Sequence, residues 1–150
     1  MKSKNFFMQE AIKEAEKAKE KDEVPVGCVI VKNDKIISRA HNLTIRTNDP
    51  TAHAEILAIK KAAKKTNNYR LTNCDMYVTI EPCPMCAGAL IWARIDRVFY
   101  GACDKKAGAC GSVINITNNN KFNHTIKIES GILQKRCSKL IKNFFKEKRK

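Results

Sequence analysis

The chain has 150 residues, of which 43% are apolar and 29% are charged. This length is near the commonest domain size, so residues 1–150 are expected to form a single domain, and the apolar fraction excludes an intrinsically disordered protein. The 29 Lys and Arg residues outnumber the 15 Asp and Glu residues to give a net charge of +14, which favours a polyanionic partner, although solvated surface lysines would give the same count.

The N-terminal part of the sequence predicts a helix followed by a β-hairpin. Phe6–Lys19 places apolar residues at helical spacing, with Lys and Glu on the other face, and predicts an amphipathic helix. Val24–Val31 is apolar and β-branched, and Lys35–Ala40 resumes a strand after the turn signal Asn33-Asp34. These two strands are expected to pair as a hairpin.

From residue 52 onwards, predicted helices and strands follow one another along the chain. Thr51 precedes the first of these helices and is predicted to cap it. The alternation indicates an α/β protein with parallel strands, helices on both sheet faces and sites at the carboxyl ends of strands. The elements predicted in this part are the helix Ala52–Lys65, the strand Asp75–Ile80, the helix Pro82–Ala93, the strands Arg97–Ala102 and Thr125–Glu129, and the helix Ile132–Lys148.

The closing helix is where basic residues concentrate, which favours binding of a polyanion over a purely solvated surface. Its inward face is predicted to carry Leu133, Cys137, Leu140, Ile141 and Phe144. The basic residues of this region are Lys135, Arg136, Lys139, Lys142, Lys146, Lys148, Arg149 and Lys150.

Targeting signals and cysteine usage point to the cytoplasm. Residues 1–10 contain no apolar signal-peptide core, and no stretch approaches about 18 apolar residues, so we expect a cytoplasmic protein without a membrane span. Seven cysteines in that compartment are expected to stay reduced. Metal binding or catalysis is the use that this setting favours.

Two short segments combine the residue types of a catalytic zinc site, which takes three protein ligands and leaves the fourth position to water. His53 offers an imidazole, while Cys83 and Cys86 are three residues apart at a predicted helix start and share one face. Two thiolates and a neutral imidazole cancel the charge of Zn²⁺. Zinc lowers the pKa of a bound water toward about 7, which makes hydroxide available at neutral pH.

Glu55 lies two positions beyond His53, which suits a proton carrier better than a fourth ligand. Hydrolytic removal of an amine takes a proton from water, delivers one to a ring nitrogen and delivers another to the departing amine, and one carboxylate beside the zinc can transfer them. A His-x-Glu segment followed by Pro-Cys-x-x-Cys is the signature of zinc-dependent nucleobase deaminases. We therefore predict that Glu55 is the general acid and base of such an enzyme.

Other uses of these residues stay open. A Cys-x-x-Cys pair also occurs in structural zinc sites and redox pairs, and Cys74 offers the fourth ligand that a structural site would need. His41 and His124 are interpreted as loop residues rather than ligands. The remaining thiols, interpreted as small core residues or free surface thiols, are Cys28, Cys103, Cys110 and Cys137.

The segments that carry the zinc motif, together with several others, follow a family pattern. They are Val24-Pro25-Val26-Gly27, Asn42, the stretches from Asp49 to Ile56 and from Glu81 to Ala89, the segment from Tyr100-Gly101 to Gly111-Ser112 with Asp104, and Phe144-Phe145 in the basic closing helix. Together they cover nearly the whole chain and resemble the bacterial tRNA-specific adenosine deaminases of the cytidine deaminase-like superfamily. Trp92, Cys103 and Cys110 depart from the family pattern and leave the zinc chemistry untouched.

This resemblance implies a three-layer α/β/α cytidine deaminase-like fold with a mixed five-stranded sheet and one Zn²⁺ per subunit. It implies a homodimer that converts the wobble adenosine of an arginine tRNA anticodon to inosine. Such a substrate is physically reasonable, because unstacked loop bases are extruded at little cost.

The resemblance also assigns roles to five substrate-binding positions. Asn42 would hold the flipped base, Asp104 would contact the nucleotide backbone, and Phe145 would pack among the bases of the anticodon stem-loop. Ala54 and Pro82 would be further substrate-binding positions. Asn42 and Asp104 can equally serve only to shape turns, and Phe145 can equally belong to the core.

Two other functions are compatible with the sequence. A small-molecule deaminase acting on guanine, cytosine or a pterin-like ring would use the same zinc chemistry, but the positive charge argues against it. A noncatalytic zinc-stabilised RNA-binding module would share the metal site and the basic residues, but Glu55 argues against it.

Overall fold

A computed structural model describes residues 1–149, so Lys150, the last of the basic residues named above, lies outside the described part. Helices and strands alternate after an opening helix and hairpin, as the sequence predicts. The elements are α1 (Lys4–Glu20), β1 (Gly27–Lys32), β2 (Lys35–His41), α2 (Ala54–Thr66), β3 (Cys74–Ile80), α3 (Pro84–Ala93), β4 (Arg97–Ala102), β5 (Lys127–Glu129) and α4 (Gln134–Lys148).

The strands form one mixed sheet in the order β2-β1-β3-β4-β5. β1 is antiparallel to β2 and β3, because the hairpin turn reverses the chain through Asn33 and Asp34, which both have positive φ. β3, β4 and β5 are parallel, since α3 carries the chain back between β3 and β4. The predicted mixed five-stranded sheet is confirmed, although the antiparallel β1–β3 pair was not foreseen.

Helices cover both faces of the sheet, which gives the predicted three layers. Side chains alternate along a strand, so β1 directs Cys28 and Ile30 to one face and Val29 and Val31 to the other. α2 and α3 pack on the first face, and α1 and α4 pack on the second. The expected α/β/α architecture is therefore confirmed for residues 1–149.

Gly27 brings α1 directly against β1. A Cβ atom at Gly27 would overlap the Ala11 carbonyl oxygen and the Ala15 nitrogen of α1. The predicted strand Val24–Val31 starts too early, because Pro25 has no N–H for a sheet ladder and the Val26 N–H donates to the Val24 carbonyl at 2.8 Å. Val24 and Val26 are thereby free to line the pocket described below.

The predicted cap of α2 is wrong. The Asp49 carboxylate accepts hydrogen bonds from the Thr51 N–H and hydroxyl at 2.8 and 2.7 Å, so this hydroxyl is engaged in a turn. His53 is the N-cap instead, and α2 begins at Ala54 rather than Ala52.

Helices α3 and α4 also begin two residues later than predicted, whereas α1 begins two residues earlier, at Lys4 instead of Phe6. α3 starts at Pro84 with Cys83 as its N-cap, rather than at Pro82. α4 starts at Gln134 because Leu133 has a left-handed backbone, with φ of 53°. Cys137 and Phe144 are buried as predicted, whereas Leu133, Leu140 and Ile141 are only half-buried.

Candidate active site

The predicted ligands lie where α2 and α3 begin, near the carboxyl end of β3. His53 and Cys83 are the N-cap residues of these helices, and their extended backbones have ψ of 152° and 174°. Cys86 lies in the first turn of α3 and is fully buried. Helix N-termini carry partial positive charge, so this position favours thiolates.

The three donor atoms have the spacing of a zinc site. His53 Nδ1 lies 3.5 Å from Cys86 Sγ and 3.6 Å from Cys83 Sγ, and all three atoms lie within 4.8 Å of one another. In a tetrahedral site with Zn–S near 2.3 Å and Zn–N near 2.0 Å, nitrogen and sulfur ligands are about 3.5 Å apart. The residues present therefore fit zinc in both chemistry and spacing.

The two thiols differ in acidity. The pKa of Cys83 is lowered to about 4, mainly because Cys86 donates a hydrogen bond to its sulfur. The pKa of Cys86 is raised, because its thiol donates that bond and is buried. One thiolate thus forms readily, and a dication bound between both sulfurs displaces the second proton.

Glu55 lies in the first turn of α2 and is only 3% exposed. Burial penalises the charged carboxylate and raises the pKa of Glu55 to about 7. Glu55 lines the same pocket as His53 and Cys83, but its carboxyl group lies outside the three-donor group. A group that titrates near neutral pH both accepts and donates protons, as a general acid and base must.

Cys74 is not the fourth ligand, so that alternative is wrong. It begins β3, whereas the donor group lies beyond the other end of this seven-residue strand, about 20 Å away. The Cys74 thiol donates instead to the Thr72 carbonyl at 3.6 Å. Within residues 1–149 all seven cysteines are free thiols; Cys103 alone among them is exposed.

The two remaining histidines lie away from the donor group. His41 ends β2 rather than lying in a loop, and its ring nitrogens contact Glu14 at 3.1 Å and Lys21 at 3.0 Å. His124 lies in a loop and contacts the Ile95 carbonyl at 2.7 Å.

A pocket of about 350 Å³ opens beside the donor group and Glu55. Asn42, Asp104 and Phe145 all line it, although they come from three distant parts of the sequence. Phe145 is 42% exposed and Phe144 is buried, so the two neighbouring rings divide between the pocket and the core. The structure therefore brings three of the five predicted substrate-binding residues to one cavity.

Ala54 and Pro82 are placed differently. Both are buried, and their backbone groups bond within the fold. The Ala54 N–H donates to Asn42 Oδ1 at 3.1 Å, and the Pro82 carbonyl accepts from the Ala109 N–H at 2.9 Å. They support the residues around the pocket, and their predicted contact with substrate stays a prediction.

Sequence reasoning missed an apolar wall and a buried acid. Val24, Ile80 and Ile141 line the pocket, and Ile141 is four residues before Phe145, a helical spacing that could have been read as a shared face. Glu81 is 2% exposed. Its position between an apolar strand and Pro82-Cys83 was the available signal.

Glu55 thus lies beside a donor group that fits zinc, at one edge of the mixed sheet in a three-layer fold. One histidine and two cysteines that fit zinc, with a glutamate that is not a ligand, are the arrangement found in zinc-dependent deaminases. The family described as the cytidine and deoxycytidylate deaminase zinc-binding region matches residues 1–102. The chain contains that zinc-binding region, and its cofactor is Zn²⁺.

Comparison with similar proteins identifies the family within the zinc-dependent deaminases. The chain is 47% identical over 145 residues to the tRNA-specific adenosine deaminase of Bacillus subtilis, covering 97% of this chain and 90% of that protein. It is 48% identical over 146 residues to the Aquifex aeolicus protein of the same name, covering 97% and 96%. A solved structure from studies of A-to-I editing by tRNA:A34 deaminases aligns with a TM-score of 0.88 at 41% identity, over 91% of this chain and 99% of that one. The chain belongs to the tRNA-specific adenosine deaminase family.

Residues 1–149 form the helices α1, α2, α3 and α4. None of them has both the length and the apolar character to cross a bilayer.

Substitution of Glu55 and substitution of Cys83 are expected to impair the enzyme in different ways. Glu55→Ala should keep zinc and fold while turnover falls by roughly a hundredfold or more, because the proton carrier is gone. Cys83→Ala should lose metal and stability, because one of three ligands is gone. Metal analysis, thermal unfolding and activity are measured for both, with Glu16→Ala on the exposed face of α1 as the control. Undiminished turnover of zinc-loaded Glu55→Ala would contradict the assigned role.

Proposed function

We propose that this chain hydrolyses adenosine to inosine at the wobble position of an arginine tRNA anticodon and releases ammonia. The observation that carries the proposal is Glu55, buried beside the zinc-fitting donor group yet outside it. The choice of tRNA as substrate is supported by the named relatives, which are tRNA-specific adenosine deaminases.

Glu55 moves the protons of this reaction. His53, Cys83 and Cys86 would hold zinc, which would act as a Lewis acid and lower the pKa of water toward neutrality. The Glu55 carboxylate accepts a proton from water and delivers it to the purine ring nitrogen next to the reacting carbon. A second proton passes through the same carboxyl group to the departing amine, so that water and adenosine give inosine and ammonia.

The pocket walls orient the base. Asn42 commits its Oδ1 to the Ala54 N–H, which leaves its Nδ2 group as the donor for an acceptor on the purine edge. Val24 and Ile141 offer apolar surface to the ring faces, and Phe145 at the rim offers an aromatic face to a neighbouring loop base. Asp104 also lines the pocket, which supports its proposed contact with the nucleotide backbone.

Exposed cations lie close in sequence to residues that line this pocket. Lys142 and Arg149 lie three residues before and four residues after Phe145, so the three side chains share one side of α4. Lys105 and Lys106 are exposed directly after Asp104, and Arg46 is exposed two residues after Thr44 of the pocket wall. This distribution supports contacts with the phosphates of an anticodon stem-loop.

The substrate class is tested by comparing turnover of an anticodon stem-loop with turnover of free bases. We expect the zinc-loaded protein to form inosine in an anticodon stem-loop of an arginine tRNA and to leave free adenine, guanine and cytosine unchanged, as measured by mass spectrometry. Raising salt should raise KM for the stem-loop, because phosphate contacts release counterions. Lys142→Ala should flatten this salt dependence, whereas Lys64→Ala, in the last turn of α2, should not.

Turnover of free guanine or cytosine alone would replace the tRNA assignment with a small-molecule deaminase. Stem-loop binding without turnover of any substrate would indicate the noncatalytic RNA-binding module. A salt-independent KM would show that the basic excess of the chain is only solvated surface.

A homodimer is part of the proposal. Trp92 is 80% exposed and Phe122 is 47% exposed, and with Ile91 and Ile116 they line one apolar depression on the outer side of α3. Exposed apolar patches of this kind mark interaction surfaces, and a two-fold pair of identical chains is the commonest way to cover one.

The dimer is tested by charge substitution on this surface. Trp92→Glu should convert a dimer into a monomer in sedimentation velocity, because a carboxylate cannot be buried in an apolar interface. Tyr69→Glu is the matched control, since Tyr69 is 67% exposed and lies just beyond α2. A wild-type monomer at micromolar concentration, or a dimer that persists in Trp92→Glu, would refute this surface.

Two further parts of the proposal concern organisation and location. Residues 1–150 act as one domain, which is supported by both apolar clusters packing on the same sheet within residues 1–149. The cytoplasm is the proposed location, which is supported by the tRNA substrate of the named relatives.

A further inference from the structure

A second buried acid lies next to the zinc ligands, and the deamination chemistry does not use it. Glu81 is 2% exposed and stands between β3 and Cys83. Both of its oxygens accept hydrogen bonds from the loop that follows β4, which we call the 103–112 loop. The donors are the Asp104 N–H at 3.0 Å and the Ser112 hydroxyl to Oε1, and the Cys110 N–H at 3.0 Å and the Ser112 N–H at 3.1 Å to Oε2.

The 103–112 loop is wound closely around this carboxylate. A Cβ atom at Gly108 would overlap the Glu81 carboxyl group, so only glycine allows the backbone to pass there. The Gly108 N–H donates to the Asp104 carbonyl at 2.9 Å, and the Asp104 carboxylate accepts from the Lys106 and Ala107 N–H groups at 3.0 and 3.1 Å. The loop conformation at Asp104 therefore depends on the group that it encloses.

The segment from Glu81 to Cys83 joins the loop to the reacting centre. Glu81 holds the Asp104 backbone, the Pro82 carbonyl holds the Ala109 N–H at 2.9 Å, and Cys83 is a predicted zinc ligand. Asp104 and Ala107 of the same loop line the pocket beside Glu55. Three consecutive residues thus fix the distance between the donor group and the pocket wall.

A carboxylate is the side chain that this loop requires. All four of its donors are neutral N–H or O–H groups, so an acceptor on both oxygens is needed and no cation among these donors competes for it.

We propose that Glu81 is a positioning residue for the tRNA substrate, which it serves by setting the place of Asp104 in the pocket wall. The inference rests on the proposed function, because the ligand placed by Asp104 is the nucleotide chain of the anticodon loop. Glu81 borders the same pocket, but both of its oxygens accept hydrogen bonds from the 103–112 loop, so it acts on the substrate through Asp104.

Glu81→Gln breaks this arrangement at a defined point. If the amide NH₂ replaces Oε2, it faces two N–H donors, those of Cys110 and Ser112. If it replaces Oε1 instead, it faces the Asp104 N–H and the Ser112 hydroxyl. The hydroxyl can rotate to accept a hydrogen bond from the amide, so only the Asp104 N–H loses its acceptor. The second orientation leaves fewer donors unpaired and is therefore favoured. It releases the Asp104 N–H, which is the contact that the proposal depends on.

The experiment is a double-mutant cycle that compares wild-type protein, Glu81→Gln, Asp104→Ala and the double variant. All four are loaded with zinc and assayed with the anticodon stem-loop as substrate. Glu81→Gln should raise KM roughly tenfold, as loss of one buried hydrogen bond does, while kcat stays within about threefold. Asp104→Ala should add little in the Glu81→Gln background, because both changes remove the same placement. Glu10→Gln, a mostly buried acid of α1 that pairs with Lys13 and Arg39, should leave KM unchanged.

Ser112→Ala provides a milder variant that keeps the carboxylate and removes only one donor. It should raise KM in the same direction by about threefold, and it replaces Glu81→Gln in the cycle if that variant does not fold. An unchanged KM in the folded, zinc-loaded variants would overturn the inference. Additive effects with Asp104→Ala would also overturn it, since they would show that Glu81 and Asp104 act independently.

Wild-type protein separates this inference from the function on which it rests. If the wild-type protein does not deaminate the stem-loop, the proposed function fails. If the wild-type protein deaminates it and the Glu81 and Ser112 variants match its KM, only the positioning role fails.

Discussion

The approach of two helix N-termini determines the rest of this site. α2 and α3 each begin with a residue of extended backbone, and these two N-caps bring His53 Nδ1 within 3.6 Å of both cysteine sulfurs. The helix dipoles and the Cys86 hydrogen bond favour a thiolate at Cys83, so the donors are held close together and one is already acidic. Glu55, in the first turn of α2, is buried by the same packing that positions the ligands.

The loops beside the pocket are held by buried carboxylates rather than by ion pairs. Glu81 accepts four hydrogen bonds from the 103–112 loop, and Glu23, which is fully buried, accepts the Ile45 and Arg46 N–H groups at 3.1 and 2.7 Å. An acceptor-only side chain can satisfy several backbone donors where water is excluded. The pocket walls are therefore fixed by hydrogen bonds from within the protein, while their outer surfaces stay free to carry cations.

Short-range patterns predicted the parts of the fold and site that depend on neighbours in sequence. Cys83 and Cys86 are three residues apart, and the apolar periodicity of α1 and α4 repeats locally, so both were foreseen. The starts of α2 and α3 were misplaced because the ligand residues His53 and Cys83 are their N-caps, and His53 takes the position expected for Thr51. The antiparallel β1–β3 pair and the hydrogen bonds that Ser112 donates to Glu81 join distant segments, and no local pattern encodes them.

Zinc X-ray absorption tests the central claim most directly, because it counts sulfur and light-atom neighbours around the metal. The structure predicts two sulfur neighbours at about 2.3 Å and two nitrogen or oxygen neighbours at about 2.0–2.2 Å, one of them from His53 and one from solvent. The same spectrum is expected for Glu55→Ala, since that carboxylate lies outside the donor group. A third sulfur neighbour, or a first shell that changes when Glu55 is removed, would contradict the account.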